Sequence, residues 1–163
     1  MGAEGGMGGE GGAPPAVNLL TNGDFEAYME GWQNELDSGA AFAEFAWEHQ
    51  GISHWSDSEY TVSTVQTIED VPDGTYSFSI YAISGGGFDD QYLFARGYDE
   101  NDPSAEMKMS FTAPGSGYTE DNKVTLSGIH VTSGTVTVGF HSDSNDTATN
   151  SWANFDDAVF IRD

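Results

Sequence analysis

Two of the four tryptophans stand in surroundings that a core tryptophan seldom has. Trp55 is set among His54, Ser56 and Asp57, and Trp152 lies between Ser151 and, two residues on, Asn154. An exposed ring beside small planar polar groups suits a sugar: the apolar C–H face of a pyranose stacks on the ring, while amides, hydroxyls and guanidinium groups read its hydroxyl rim. Tyr81, Tyr92, Arg96 and Tyr98 join this set because each alternates with residues whose apolar character turns them inward. Gln66 and Asn154 are candidate amide partners. Arg96 is one of only four basic residues, and its planar fork can serve two neighbouring hydroxyls at once. Each side chain also has a plainer reading: a core or rim aromatic or, for Arg96, a surface ion pair.

A second constellation is built of carboxylates. Glu26 lies in the opening stretch NLLTNGDFEAYMEGW, and Asp156 and Asp157 lie in the closing NFDDAVF. The ends of a domain tend to lie close together. A carboxylate from each end, with loop carbonyls between them, forms an oxygen shell for a hard cation such as Ca2+. The plainer reading is a turn and a buried aromatic anchor.

Other chemistries find little support. The chain has no cysteine, which removes thiol catalysis, disulfides and cysteine-based metal sites. His49, His54, His130 and His141 show no zinc spacing, and His130 and His141 read as strand-end residues. Gly85, Gly86 and Gly87 are followed by neither a lysine nor a helix, so they form no phosphate loop. With 27 acidic side chains against 4 basic ones, a net charge of −23, no basic patch can neutralise nucleic-acid phosphates or an anionic membrane surface. A lyase acting on acidic polysaccharide would need cations that this chain lacks.

The elements that must position these residues read as strands. Residues 1–16 hold seven glycines and two prolines and are expected to form a flexible linker to another module; residues 17–163 form the domain. Short apolar or alternating runs fall at 17–20, 60–68, 75–83, 92–98, 107–111, 123–129, 135–141 and 155–161, with turn signals such as Asn22–Gly23 and Pro72–Asp73–Gly74 between them. Tyr76, Phe78, Ile80 and Ala82 share one face, as do Val136, Val138 and Phe140. Helical periodicity is nearly absent. The expectation is an all-β fold, a jelly-roll β-sandwich of two antiparallel sheets. No signal peptide is visible at the amino terminus, and no apolar run approaches the ~20 residues that span a bilayer. An acidic surface rich in Asn, Ser, Thr and Gly suggests an extracellular, secreted setting.

The motifs at both ends, NL–NG–FE–GW and FDDAVF, resemble those of the β-sandwich carbohydrate-binding modules of bacterial polysaccharidases. The HWSDSEY string that ends on Tyr60, the VQTI strand, the PDGTY turn, YLFARGY and the GFHSD and NSWANFDD ending more closely resemble family 61, the galactan-binding modules of endo-β-1,4-galactanases. Relatives often carry lysine in an A-K-D pattern where Ala95, Arg96 and Gly97 stand, and tyrosine at His141. Residues 145–150 lengthen the last loop. The resemblance implies structural calcium held by Glu26 and Asp156, with carbonyls from around Asp24 and from His49, Gln50 and Gly51. It implies a sugar site drawn from His54, Trp55, Tyr60, Gln66, Tyr81, Tyr92, Arg96, Trp152 and Asn154. The expected function is a non-catalytic module that binds β-1,4-galactan or its oligosaccharides and holds a tethered glycoside hydrolase on polysaccharide. The rival expectations are a same-fold binder of xylan or glucan, a small polysaccharide hydrolase or lyase, and an adhesion domain.

Overall fold

The computed structural model describes residues 16–46, 49–113, 119–144 and 151–163. The expected linker therefore lies, but for its last residue, outside the described residues, and so does the 145–150 stretch. Ten strands follow in order: β1 (Gln33–Leu36), β2 (Ala41–Ala46), β3 (His49–Trp55), β4 (Tyr60–Glu69), β5 (Gly74–Gly85), β6 (Asp90–Arg96), β7 (Glu106–Ser110), β8 (Lys123–Val131), β9 (Thr135–Ser144) and β10 (Trp152–Arg162). They form two five-stranded sheets, β1-β4-β9-β6-β7 and β2-β3-β10-β5-β8, with every strand pair antiparallel. This is the expected β-sandwich.

Alternation of side chains builds the interior. Val136, Val138 and Phe140 of β9 face Ala153, Phe155 and Phe160 of β10, all fully buried. Phe140 and Phe155 meet across the sheets at 4.3 Å between ring centroids, and Trp32 packs on Phe140 at 5.7 Å. Phe25 closes the group against Trp32 at 5.1 Å.

Seven of the eight expected strands are present, and the exception is 17–20. Here the Asn18 side chain takes the place of ladder bonds: its Nδ2 donates to the Ala158 carbonyl at 3.0 Å, and its Oδ1 accepts from the Phe160 amide at 2.9 Å. Leu19 adds one backbone bond to Phe160. Gly23 then lies so close to β10 that a Cβ would stand 2.2 Å from the Ala158 oxygen. The two chain ends are thus joined, though no N-terminal strand forms. Strands β1, β2 and β3 escape a sequence reading because QNEL, AFAEFA and HQGISHW lack runs of β-branched residues.

His54, expected at a sugar site, is instead part of the core and fully buried. Its ring stacks on Phe140 at 5.2 Å and tilts against Phe155 at 4.8 Å. The Thr64 hydroxyl donates to Asn34 Oδ1 at 2.8 Å, so it must accept from His54 Nε2–H at 3.0 Å. Nδ1 then accepts from the Ser142 hydroxyl at 2.9 Å. The neutral ring is thereby satisfied at both nitrogens. Burial, with a smaller contribution from nearby His141, pushes its pKa down to about 3 from an ordinary 6.5. A depressed histidine pKa contributes stability that is fully present above about pH 6.5 and is lost as pH falls toward the folded value. At about pH 5 this loss amounts to about 2 kcal/mol. Chemical denaturation of the wild type should show this slope, and His54→Gln should flatten it by about one proton. Equal slopes for the two proteins would contradict the assignment.

Candidate functional site

The outer surface of the β2-β3-β10-β5-β8 sheet carries a cleft of about 370 Å3 lined by Phe42, Glu44, Ser53, Trp55, Trp152 and Asn154. Register explains its composition. Trp152 pairs directly with Trp55 and Asn154 with Ser53, while Ser53 pairs on its other side with Phe42. Since Ala153 and Phe155 are committed to the core, Trp152 and Asn154 must face out. Trp55 and Phe42 are each 37% exposed, high for large apolar side chains. Three rings thus border a floor of small polar groups. Ser53 Oγ donates to Asn154 Oδ1 at 2.6 Å, which orients the amide.

Gly85 seats one wall. It pairs with Trp152, and a Cβ there would meet the indole Nε1 at 2.6 Å and Cε2 at 2.7 Å. Only a residue without a side chain lets the ring lie against β5.

The expected sugar residues divide among three places. Trp55, Trp152 and Asn154 come together in the cleft. Tyr81 shares the face but lies further along it, paired with Asp156, and its hydroxyl donates to Glu120 at 2.9 Å. That bond, more than its slight burial, raises the Tyr81 pKa. Tyr92 and Arg96 lie on the outer face of the opposite sheet. Arg96 pairs with Glu35 at 2.5 Å, and Tyr92 is held between the stacked His141 ring at 4.4 Å and Lys108 Nζ at 4.3 Å.

The remaining three are interior residues, a correction to the sequence reading. His54 is in the core, as described. Tyr60 is 3% exposed, and its hydroxyl donates to the carbonyls of His54 and Ser151, with burial raising its pKa. Gln66 is 5% exposed and clamps the Thr21 backbone, donating to its oxygen at 2.8 Å and accepting from its amide at 2.7 Å. The residues that sequence reading missed are Phe42, Glu44 and Ser53. Ser53 stands two positions before Trp55, so strand alternation places it beside that ring once 49–55 is known to be a strand.

For a cation, the opening loop meets β3 at Gln50. Glu26 Oε1 accepts from the Gln50 amide at 3.4 Å, and Asp24 Oδ1 accepts from the Glu26 amide at 3.5 Å. On the far side of Gly51 lies Asp156, whose Cβ would be 3.9 Å from a Cβ at Gly51. Gln50 Oε1 is buried without a hydrogen-bond partner. No group of three acidic or histidine side chains converges as a metal site among the described residues. The available donors are oxygens of mixed kind, carboxylate, amide and carbonyl, which suit a hard cation rather than a transition metal.

No family model matches the chain, and no curated protein matches its sequence. Solved structures match its fold. The fold is that of carbohydrate-binding modules. TmCBM61, solved with β-1,4-galactotriose, superposes with a TM-score of 0.71 at 18% identity, over 90% of this chain and 99% of that one. A family 16 carbohydrate-binding module superposes at 0.59 with 20% identity, over 89% of this chain and 100% of that one. The xylanase 10B of Clostridium thermocellum, solved as linked CBM22-1 and GH10 modules with xylohexaose, superposes at 0.59 with 16% identity, over 90% of this chain but 28% of that one.

Replacing Gly85 by alanine should lift the Trp152 indole from β5. The expected result is an altered near-ultraviolet circular dichroism and tryptophan emission with unchanged strand content. An unaltered indole signal would show that Gly85 does not seat the ring.

Proposed function

We propose that this protein is a non-catalytic carbohydrate-binding module whose Trp55–Trp152 cleft holds a neutral β-glycan. The observation that carries this reading is the direct register pairing of two half-exposed tryptophans around an oriented Ser53–Asn154 pair. Sugar rings would stack on the indoles, with Asn154 Nδ2 donating to and Glu44 accepting from hydroxyls. We assign β-1,4-galactan as the ligand. Support comes from the family 61 resemblance and from the fold shared with a module solved on galactotriose. Such a module raises the local concentration of an attached hydrolase on a polymeric substrate, in a secreted protein.

Isothermal titration with β-1,4-galactotetraose, xylotetraose and cellotetraose tests this. Heat is expected from the galactan oligomer, and Trp55→Ala should weaken it at least about tenfold, or ~1.4 kcal/mol. Arg96→Ala and Tyr92→Ala should leave it unchanged. Loss in those variants with retention in Trp55→Ala would move the site to the opposite sheet. Heat from xylotetraose or cellotetraose instead would keep the class and change the glycan. Silence from all three, or release of reducing ends from polysaccharide, would sink the reading.

We further propose that Ca2+ is bound by Glu26, Asp156, the Gln50 amide oxygen and backbone carbonyls around Asp24 and Gly51. The ion would supply stability, tying the opening loop to β3 and β10. Calcium at ~100 times its dissociation constant should add roughly 2.7 kcal/mol. Chelation should lower the melting temperature, and Glu26→Gln should abolish the response. A melting temperature indifferent to both calcium and chelator would refute the site.

A further inference from the structure

A second cavity, of about 280 Å3, opens where β5 ends and β6 begins, and shares no lining residue with the tryptophan cleft. Its wall includes Gln91, a polar residue at an inward position of β6, where the next inward residues, Leu93 and Ala95, are fully buried. Gln91 is 5% exposed. Its Oε1 accepts from Ser84 Oγ at 3.3 Å, but its Nε2 is buried with no hydrogen-bond partner. A buried donor left without an acceptor keeps its full desolvation penalty. Strand pairing with Ser142 fixes the Gln91 backbone, the Ser84 hydroxyl proton is shared between Gln91 Oε1 and the Ala113 carbonyl at 3.3 Å each, and Nε2 is left without an acceptor.

The rest of the wall states which acceptor would fit. Asp89 and Asp90 border the cavity with Phe88, Ser110 and Phe111. Phe111 is anchored edge-on to Phe155 at 6.4 Å. The cavity thus offers an N–H donor, the Asp90 carboxylate and aromatic carbon, which a ring bearing hydroxyls on an apolar face satisfies together. The carboxylates disfavour an acidic sugar. Ligand pockets run from about 300 Å3 upward, so this one suits a single ring rather than a chain.

We infer that this cavity is a second carbohydrate subsite, taking one neutral hexopyranose with a sugar oxygen accepting from Gln91 Nε2. It shares with the proposed function only the class of ligand. The test is heteronuclear NMR of the Gln91 side-chain amide, titrated with methyl β-D-galactopyranoside and methyl β-D-glucopyranoside. The wild type, a Trp55→Ala/Trp152→Ala double variant and Gln91→Glu are compared. Gln91→Glu keeps the side chain's shape but removes the donor, and its thermal melt reports whether it folds. The expected result is a saturable shift of the Gln91 amide at millimolar sugar, kept in the double tryptophan variant. Perturbation of neighbouring Ser84 and Phe111 resonances should weaken at least tenfold in Gln91→Glu. No Gln91 shift with either glycoside would mean that the cavity holds only water, and would overturn the inference even if galactotetraose still binds the tryptophan cleft. A shift abolished in the double tryptophan variant would overturn it too, as an echo of the first site. Failure of the tryptophan cleft to bind any oligomer, with the Gln91 shift intact, would leave this subsite standing alone.

Discussion

The contact between Phe140 and Phe155 is the constraint from which the rest follows. These rings join the two sheets at 4.3 Å, and His54, Trp32 and Phe25 pack on the pair. Each buried aromatic contributes roughly 1.5–3 kcal/mol by leaving water. The larger consequence is directional. With a side-chain period of two, the inward commitment of Phe155 sends Asn154 and Trp152 outward, and that of His54 sends Ser53 and Trp55 outward. A one-residue slip of β10 would bury Trp152 and Asn154 and expose Phe155. The same packing therefore stabilises the sandwich and aims the cleft.

Period-two reasoning worked where strands carry strong apolar alternation. Tyr76 through Ala82 and Val136 through Phe140 are inward as the sequence suggests, because each inward position pairs with another apolar residue. It failed at polar residues inside those patterns. Gln66 and Tyr60 look like surface binders, yet each spends its polar atoms on backbone groups of distant segments: Thr21 for Gln66, His54 and Ser151 for Tyr60. Only three-dimensional proximity supplies those partners. Trp55 and Trp152 were legible singly from their polar neighbours, but their pairing required the β3–β10 register. Phe42 and Glu44 were hidden because an Ala-rich edge strand has little local signature.

The two outer faces are chemically unequal. On the β1-β4-β9-β6-β7 sheet the polar groups satisfy one another. Arg96 reaches from β6 toward Glu35 on β1 along a diagonal that crosses β9 at Gly139, where no side chain intervenes. A Cβ at that glycine would meet Phe94 and Val65 at 2.8 Å, so the pair lies over a closely packed surface. Tyr92 has a cation on one side and an imidazole on the other. A ligand here would first have to break these contacts. The tryptophan cleft instead presents the partly exposed Trp55 and Phe42 rings beside an amide already oriented by Ser53.

The charge distribution narrows the ligand further. All four basic side chains are occupied locally: Arg96 by Glu35, Lys108 by Glu106 and the Tyr92 ring, Lys123 over Tyr81, and Arg162 by the Asp73 carbonyl. Against a net charge of −23, an anionic polymer would meet repulsion at long range and no uncommitted cation at short range. A neutral polymer is indifferent to the first effect and needs nothing of the second. Its affinity rests on stacking and hydrogen bonding, which salt screens little. Acidic surface and aromatic cleft are therefore compatible with the proposed neutral ligand: the charge repels anionic polymers, and binding at the cleft would rest on neutral contacts.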